Sequence, residues 1–237
     1  RHKTMGVWFD GVEPSRVSGF SIRQEGALMI SNLSRSHLRL YALCGVIAPI
    51  LFVLMVIVEG LLVPGYSHMT QQISDLGAYA LYGSYALLQN LNFCIFGTLV
   101  VAFAIGLRQQ LPASRVMTTS LALFGALFFL VGFFPDQPTP WPAVAHNLLA
   151  QLSGLSLFVS EFFAWRRLRR PIADEGVGWT KYGRFSFVSL VLTIISYTLS
   201  VVFGQPGITG LLQREMVAVP LLWIEVMALR LLRLSKA

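Results

Sequence analysis

Apolar residues occupy this chain in six long blocks, 40–63, 84–107, 116–134, 143–165, 185–203 and 211–232, separated by short polar connectors. Each block approaches or exceeds the ~20 residues that a helix needs to cross a hydrocarbon core. In lipid every backbone amide must be satisfied within its own segment, so blocks of this length predict helices, not strands. The predicted fold is all-α: a polytopic membrane protein built as a bundle of six transmembrane helices. Residues 1–39 are polar and predict a largely disordered tail, 40–232 form the membrane domain, and 233–237 a short C-terminal tail. The first thirty residues lack the long apolar stretch of a signal peptide, and Met29 reads as a plausible natural start.

The connectors suggest an orientation. Arg35 and Arg39 precede the first block, Arg108 and Arg115 flank the second connector, Arg166, Arg167, Arg169, Arg170, Lys181 and Arg184 fill the fourth, and Arg230, Arg233 and Lys236 close the chain. Connectors 64–83, 135–142 and 204–210 carry no Lys or Arg. Basic residues collect on the cytoplasmic side, so both termini are expected there. Arg214 is the exception, and a lone cation on the wrong side is expected to be held by acidic partners.

Composition agrees with this picture. Of 237 residues, 55% are hydrophobic and 12% charged, with a mean hydropathy of +0.65, against about a quarter charged in ordinary soluble domains. A soluble single domain is therefore excluded. The net charge of +7 follows from the basic connectors; no nucleic-acid motif accompanies it, and no nucleic-acid partner is expected. Cys44 and Cys94 both fall inside apolar blocks and are read as packing thiols. No zinc-type spacing is present, and neither a metal nor a cofactor is expected.

Candidate chemistry gathers at the basic-free connectors, which together with the adjoining block ends hold Glu59, His68, Asp75, Asp136, His146, Arg214 and Glu215. Ser67 is placed to cap a short helix running to Asp75 and ended by Gly77. His146, Ala150, Ser153, Gly154, Leu157 and Glu161 fall on one face of the fourth helix, giving it a narrow stripe of small and polar residues. Glu161 and Glu225 are read as acids near the basic boundary, pairing with Arg166, Arg184 or Arg230. The fifth helix carries Ser186, Ser189, Thr193, Ser196, Tyr197 and Ser200 at helical spacing, a stripe expected to face protein.

The order Tyr66-Ser67, Ile73-Ser74-Asp75-Leu76-Gly77, Phe134-Pro135-Asp136, His146 and Gly210-Leu211-Leu212-Gln213-Arg214, followed by Trp223, resembles the "domain of unknown function 998" family of prokaryotic multi-pass membrane proteins. The resemblance implies a membrane fold and no particular reaction. Its motif positions are Ser74, Asp75, Gly77, Pro135, Asp136, His146 and Arg214. Three readings follow. In a membrane hydrolase or lipid-modifying enzyme, Asp75, Asp136 and His146 serve as acid, base or metal ligands while Arg214, with Ser74 and Glu215, binds an anionic group. In a small transporter or sensor, Arg214, Glu225 and Glu161 line a path. In a structural or lipid-binding protein, Asp75 and Asp136 pair with Arg214 to lock the connectors onto the bundle. Expected partners are membrane lipid and a small-molecule or lipid ligand at the outer face, and the expected location is the cell membrane.

Overall fold

The computed structural model describes residues 17–136, 140–169, 179–205 and 207–236, with side chains from Arg35 onward apart from Pro140. Six long helices dominate: α1 (Val17–Leu62), α2 (Ala86–Gln110), α3 (Arg115–Val131), α4 (Pro140–Leu168), α5 (Thr180–Phe203) and α6 (Thr209–Leu234). Each packs on its neighbour in sequence, and α6 packs back on α1, so the helices close into a ring. Short connectors explain the order, because helices joined by few residues must lie side by side and antiparallel. The first sixteen residues of the expected tail lie outside the described part. From Val17 the backbone is helical and continuous with the first apolar block.

The expected count of six membrane crossings is not met. Four segments are long and apolar enough to cross a membrane: Arg35–Leu62, Tyr79–Gln110, Trp141–Leu168 and Thr180–Phe203. α3 is apolar but has only 17 residues, about 25 Å at 1.5 Å per residue. α6 has the length but carries Arg214, Glu215, Glu225, Arg230 and Arg233, each costly in hydrocarbon. Apolar blocks overstated the count because the third helix stops at Val131, short of its block, and the sixth helix carries those five charges. The placement of both termini on the cytoplasmic side, inferred from the alternation of connectors between six crossings, loses its premise with that count. Four apolar helices still make this a multi-pass membrane protein.

Two ends of the ring differ in chemistry. The described residues of connectors 63–85, 132–136 and 204–208 make an end without Lys or Arg, met only by Arg214 of α6 among the described basic residues of the ring, whose others lie toward the opposite end. Near the basic end, Arg169 lies over the Trp165 ring at 5.0 Å and Arg230 over Trp179 at 5.6 Å. The core between α1, α2 and α3 is aromatic. Phe52, Phe93, Phe96, Phe124 and Phe128 pack with centroid separations of 5.0 to 6.1 Å, each pair contributing about 0.5–1.5 kcal/mol beyond area burial. Gly97 and Gly125 let α2 and α3 cross in contact, since a Cβ on either would run into the other's backbone. Cys44 and Cys94 are free and half-buried.

Candidate functional site

The basic-free end is organised by the docking of the first connector on the start of α6. Leu211 N–H donates to Met69 O at 3.0 Å and Thr209 Oγ1 to Thr70 O at 2.8 Å. Gln213 Oε1 accepts the Ile73 amide. Arg214 Nη1 shares its protons among the carbonyls of His68 (2.8 Å), Gln71 (2.9 Å) and Gly210 (2.8 Å), while Nη2 donates to the Tyr66 hydroxyl. Tyr66 passes the chain on, donating to Gln72 O at 2.9 Å. Gly210 permits this approach, because a Cβ there would collide with the main chain of His68 and Gln71. An α6 amide that a helix start leaves without an intrahelical partner is thus met by a connector carbonyl.

Arg214 is therefore held by carbonyls and a phenol, not by the acids expected from the sequence. Asp75 turns back on its own connector, its Oδ2 accepting the Gln72 amide at 2.7 Å. That bond replaces the helix expected from Ser67: the regular turn is a 3-10 helix over Ser74–Gly77, and the Ser67 amide itself donates to Gln71 Oε1 at 2.7 Å. Charges nonetheless communicate. Burial pushes the Asp75 carboxyl above its usual range, the charge of Asp136 adds to that, and the Gln72 amide, Arg214 and His146 oppose it. Burial also lowers His68, with Arg214 adding to the effect, and burial raises Tyr66 against the pull of Arg214.

The remaining candidates divide. His146 is 4% exposed and its Nδ1–H donates to Phe134 O at 2.8 Å. In the neutral ring this leaves the lone pair on Nε2. Ser74 is buried, donating to Gln72 Oε1 at 3.3 Å. Asp136 is half-exposed after Pro135. Glu215 is exposed on another side of α6, where it accepts from Ser196 Oγ at 2.6 Å. Asp75, Asp136 and His146 thus share an electrostatic neighbourhood, but Asp75 and His146 are each bonded to main chain. Among the described residues no group of three or more His, Cys, Asp and Glu could hold a metal.

His146 and Ser74 border a feature that hydropathy could not reveal, a cavity of about 490 Å³ inside the ring. All six helices contribute to its lining, with Phe52, Phe93, Phe96, Phe124, Phe128 and Phe158 as aromatic walls. Its polar lining includes Ser74, His146 and Gln213 at the connector end, besides Gln151, Ser153, Thr193 and Tyr197. Pro220 and Met216 also border it; having no amide, Pro220 leaves the Met216 carbonyl without its helical donor. The α4 stripe lies here as well: Ser153, Gly154 and Leu157 line the cavity, and Glu161, one turn further, is fully buried. Glu161 does not pair with arginine as expected. Its Oε1 accepts from Ser189 at 2.7 Å and Thr193 at 3.4 Å, so the α5 hydroxyl stripe does face protein at Ser186, Ser189, Thr193 and Ser196. One sequence signal for the cavity went unused: Phe93 and Phe96, and Phe124 and Phe128, recur on single helix faces.

No curated protein and no solved structure matches the chain. Residues 46–230, covering α2 to α5 whole, most of α6 and the cavity-bearing part of α1, match the model of one family, and the chain belongs to it: the family described as protein of unknown function (DUF998).

Proposed function

We propose that this protein binds an apolar, lipid-like molecule in the cavity at the centre of the helix ring, with the ligand's polar end at Ser74, His146 and Gln213. The aromatic-lined volume of about 490 Å³ carries this reading; ligand sites occupy about 300–1,000 Å³ and combine an apolar lining with a few polar groups. Leu148, Leu152 and Leu155 of α4 line the cavity and are also 56%, 41% and 57% exposed, so it reaches the outer face of a membrane-crossing helix. A lipid tail gains little by leaving a bilayer as apolar as the cavity, so selectivity rests on shape and on the polar end. His146 Nε2 would accept from a hydroxyl or amide of the ligand.

Gly154 supplies the test. It lines the cavity, and a Cβ added there meets nothing within 4 Å, so Gly154→Phe has open space at its Cβ from which to send a ring into the cavity. Lipids extracted from the purified wild type should include a species enriched over the surrounding membrane, depleted at least about tenfold in Gly154→Phe, a change of about 1.4 kcal/mol. Equal lipid content in the two proteins, both folded, would refute the reading.

The enzymatic reading retains one observation, that the charges of Asp136 and His146 are felt at Asp75. It requires turnover of a labelled membrane lipid that Asp136→Asn abolishes while leaving retention of that lipid intact.

A further inference from the structure

On α1, Glu59 is 2% exposed, and neither of its carboxylate oxygens has a hydrogen-bond partner. The packing of α1 on α2 shows what it faces. Tyr41 lies against Gly106 and Gly45 against Phe103, Phe52 stacks on Phe93 and Phe96, and Asn92 Nδ2 donates to Phe52 O at 3.2 Å. In this antiparallel register each seven-residue step along α1 moves seven residues back along α2, which brings Glu59 to the level of Gln89. Gln89 and Asn92 share one face of α2 with Phe96 and Phe103, and they are 0% and 1% exposed.

The amide of Asn92 has a defined orientation. Its Nδ2 donates to Phe52 O and to Gln89 Oε1, so Oδ1 is the free end, and it too lacks a partner. Three buried acceptors, Glu59 Oε1, Glu59 Oε2 and Asn92 Oδ1, therefore stand against the two protons of one unpartnered donor, Gln89 Nε2. That amide supplies no charge. From residue 40 to residue 107 the chain holds no Lys or Arg, and Arg214 is committed to the connector carbonyls and Tyr66. The His68 ring packs on Gly60, but burial and Arg214 disfavour its charged form. An uncompensated buried carboxylate is strongly unfavourable, so the group is either protonated or matched by a cation.

We propose that the Glu59 carboxylate and Asn92 Oδ1, the latter oriented by Gln89, form a binding site for a monovalent alkali cation between α1 and α2. Carboxylate and amide oxygens are hard donors suited to such an ion. One carboxylate among neutral amides balances a single positive charge, whereas a divalent ion would leave an excess charge in apolar surroundings. Bound there, the cation would join the two helices whose Phe52, Phe93 and Phe96 wall the central cavity.

The test is thermal unfolding of the purified full chain in detergent at fixed pH and ionic strength, titrating NaCl or KCl against choline chloride. The wild type should gain at least about 5 °C with one alkali ion, by preferential binding to the folded state, and Glu59→Gln should be unresponsive. Asn92→Leu keeps the carboxylate and should raise the half-effective cation concentration at least about tenfold, which keeps the test open if Glu59→Gln does not fold. A wild type indifferent to sodium and potassium would overturn the proposal, as would an undiminished response in both variants. The first outcome would assign Glu59 a proton instead.

Discussion

The guanidinium of Arg214 donates to the main-chain carbonyl of His68 at 2.8 Å, across most of the chain, and this contact fastens the first connector to the last helix. A carbonyl is a weaker partner than a carboxylate, but three of them with a phenol can satisfy a partly buried guanidinium without burying a second charge. The arrangement also constrains the connector itself, because carbonyls of a loop converge on one cation only if the backbone follows one path.

Arg214→Ala should cost about 3 kcal/mol, since it removes several charge-assisted bonds and leaves connector carbonyls without donors. Arg214→Lys should recover part of that loss, as an ammonium reaches the carbonyls but lacks the planar fork. Asp75→Asn should cost under about 1 kcal/mol, because an amide oxygen can still accept from Gln72. Melting temperatures in one detergent, with proteolysis of connector 63–85, decide the matter. Equal losses at Arg214 and Asp75 would restore the acid-pair account.

Asp75 should also make stability depend on pH. Burial, reinforced by Asp136, raises its folded value above the usual 3.8, so between 3.8 and the raised value the folded state binds more protons than the unfolded one. Its contribution to stability therefore falls as pH rises through that window. Asp75→Asn should lack this dependence, so its stability relative to the wild type should rise as pH climbs through the window. Melting curves across the acid range check the sign, and a difference growing toward low pH contradicts it.

Ser189→Ala should destabilise by about 1–3 kcal/mol, because it takes the donor at 2.7 Å from a fully buried Glu161. Thr198→Ala, on the exposed face of the same helix where the hydroxyl bonds only Ile194 O, should stay within about 0.5 kcal/mol. The pair measured in parallel isolates burial of the acid from helix propensity. Similar small losses would mean that the stripe is only packing.

The long helices, their order and the gathering of Asp75, Asp136, His146 and Arg214 at one end follow from the sequence alone, because blocks of apolar residues and short connectors leave few ways to fold. Local signals carried less far. Ser67 suggested a cap, but Asp75 took the Gln72 amide and made the turn its own way. Arg214 suggested an acid, but the carbonyls of His68 and Gln71 reached it first, an outcome that depends on Gly210 admitting the connector. The number of helices suited to cross a membrane turned on where each helix ends and which charges it carries: α3 is apolar yet short, and α6 is long yet charged, and both are members of the ring. The cavity belongs wholly to the tertiary structure. Phe52, Phe93, Phe124 and Phe158 read as ordinary core residues one helix at a time, and only closing the ring shows that they surround a space.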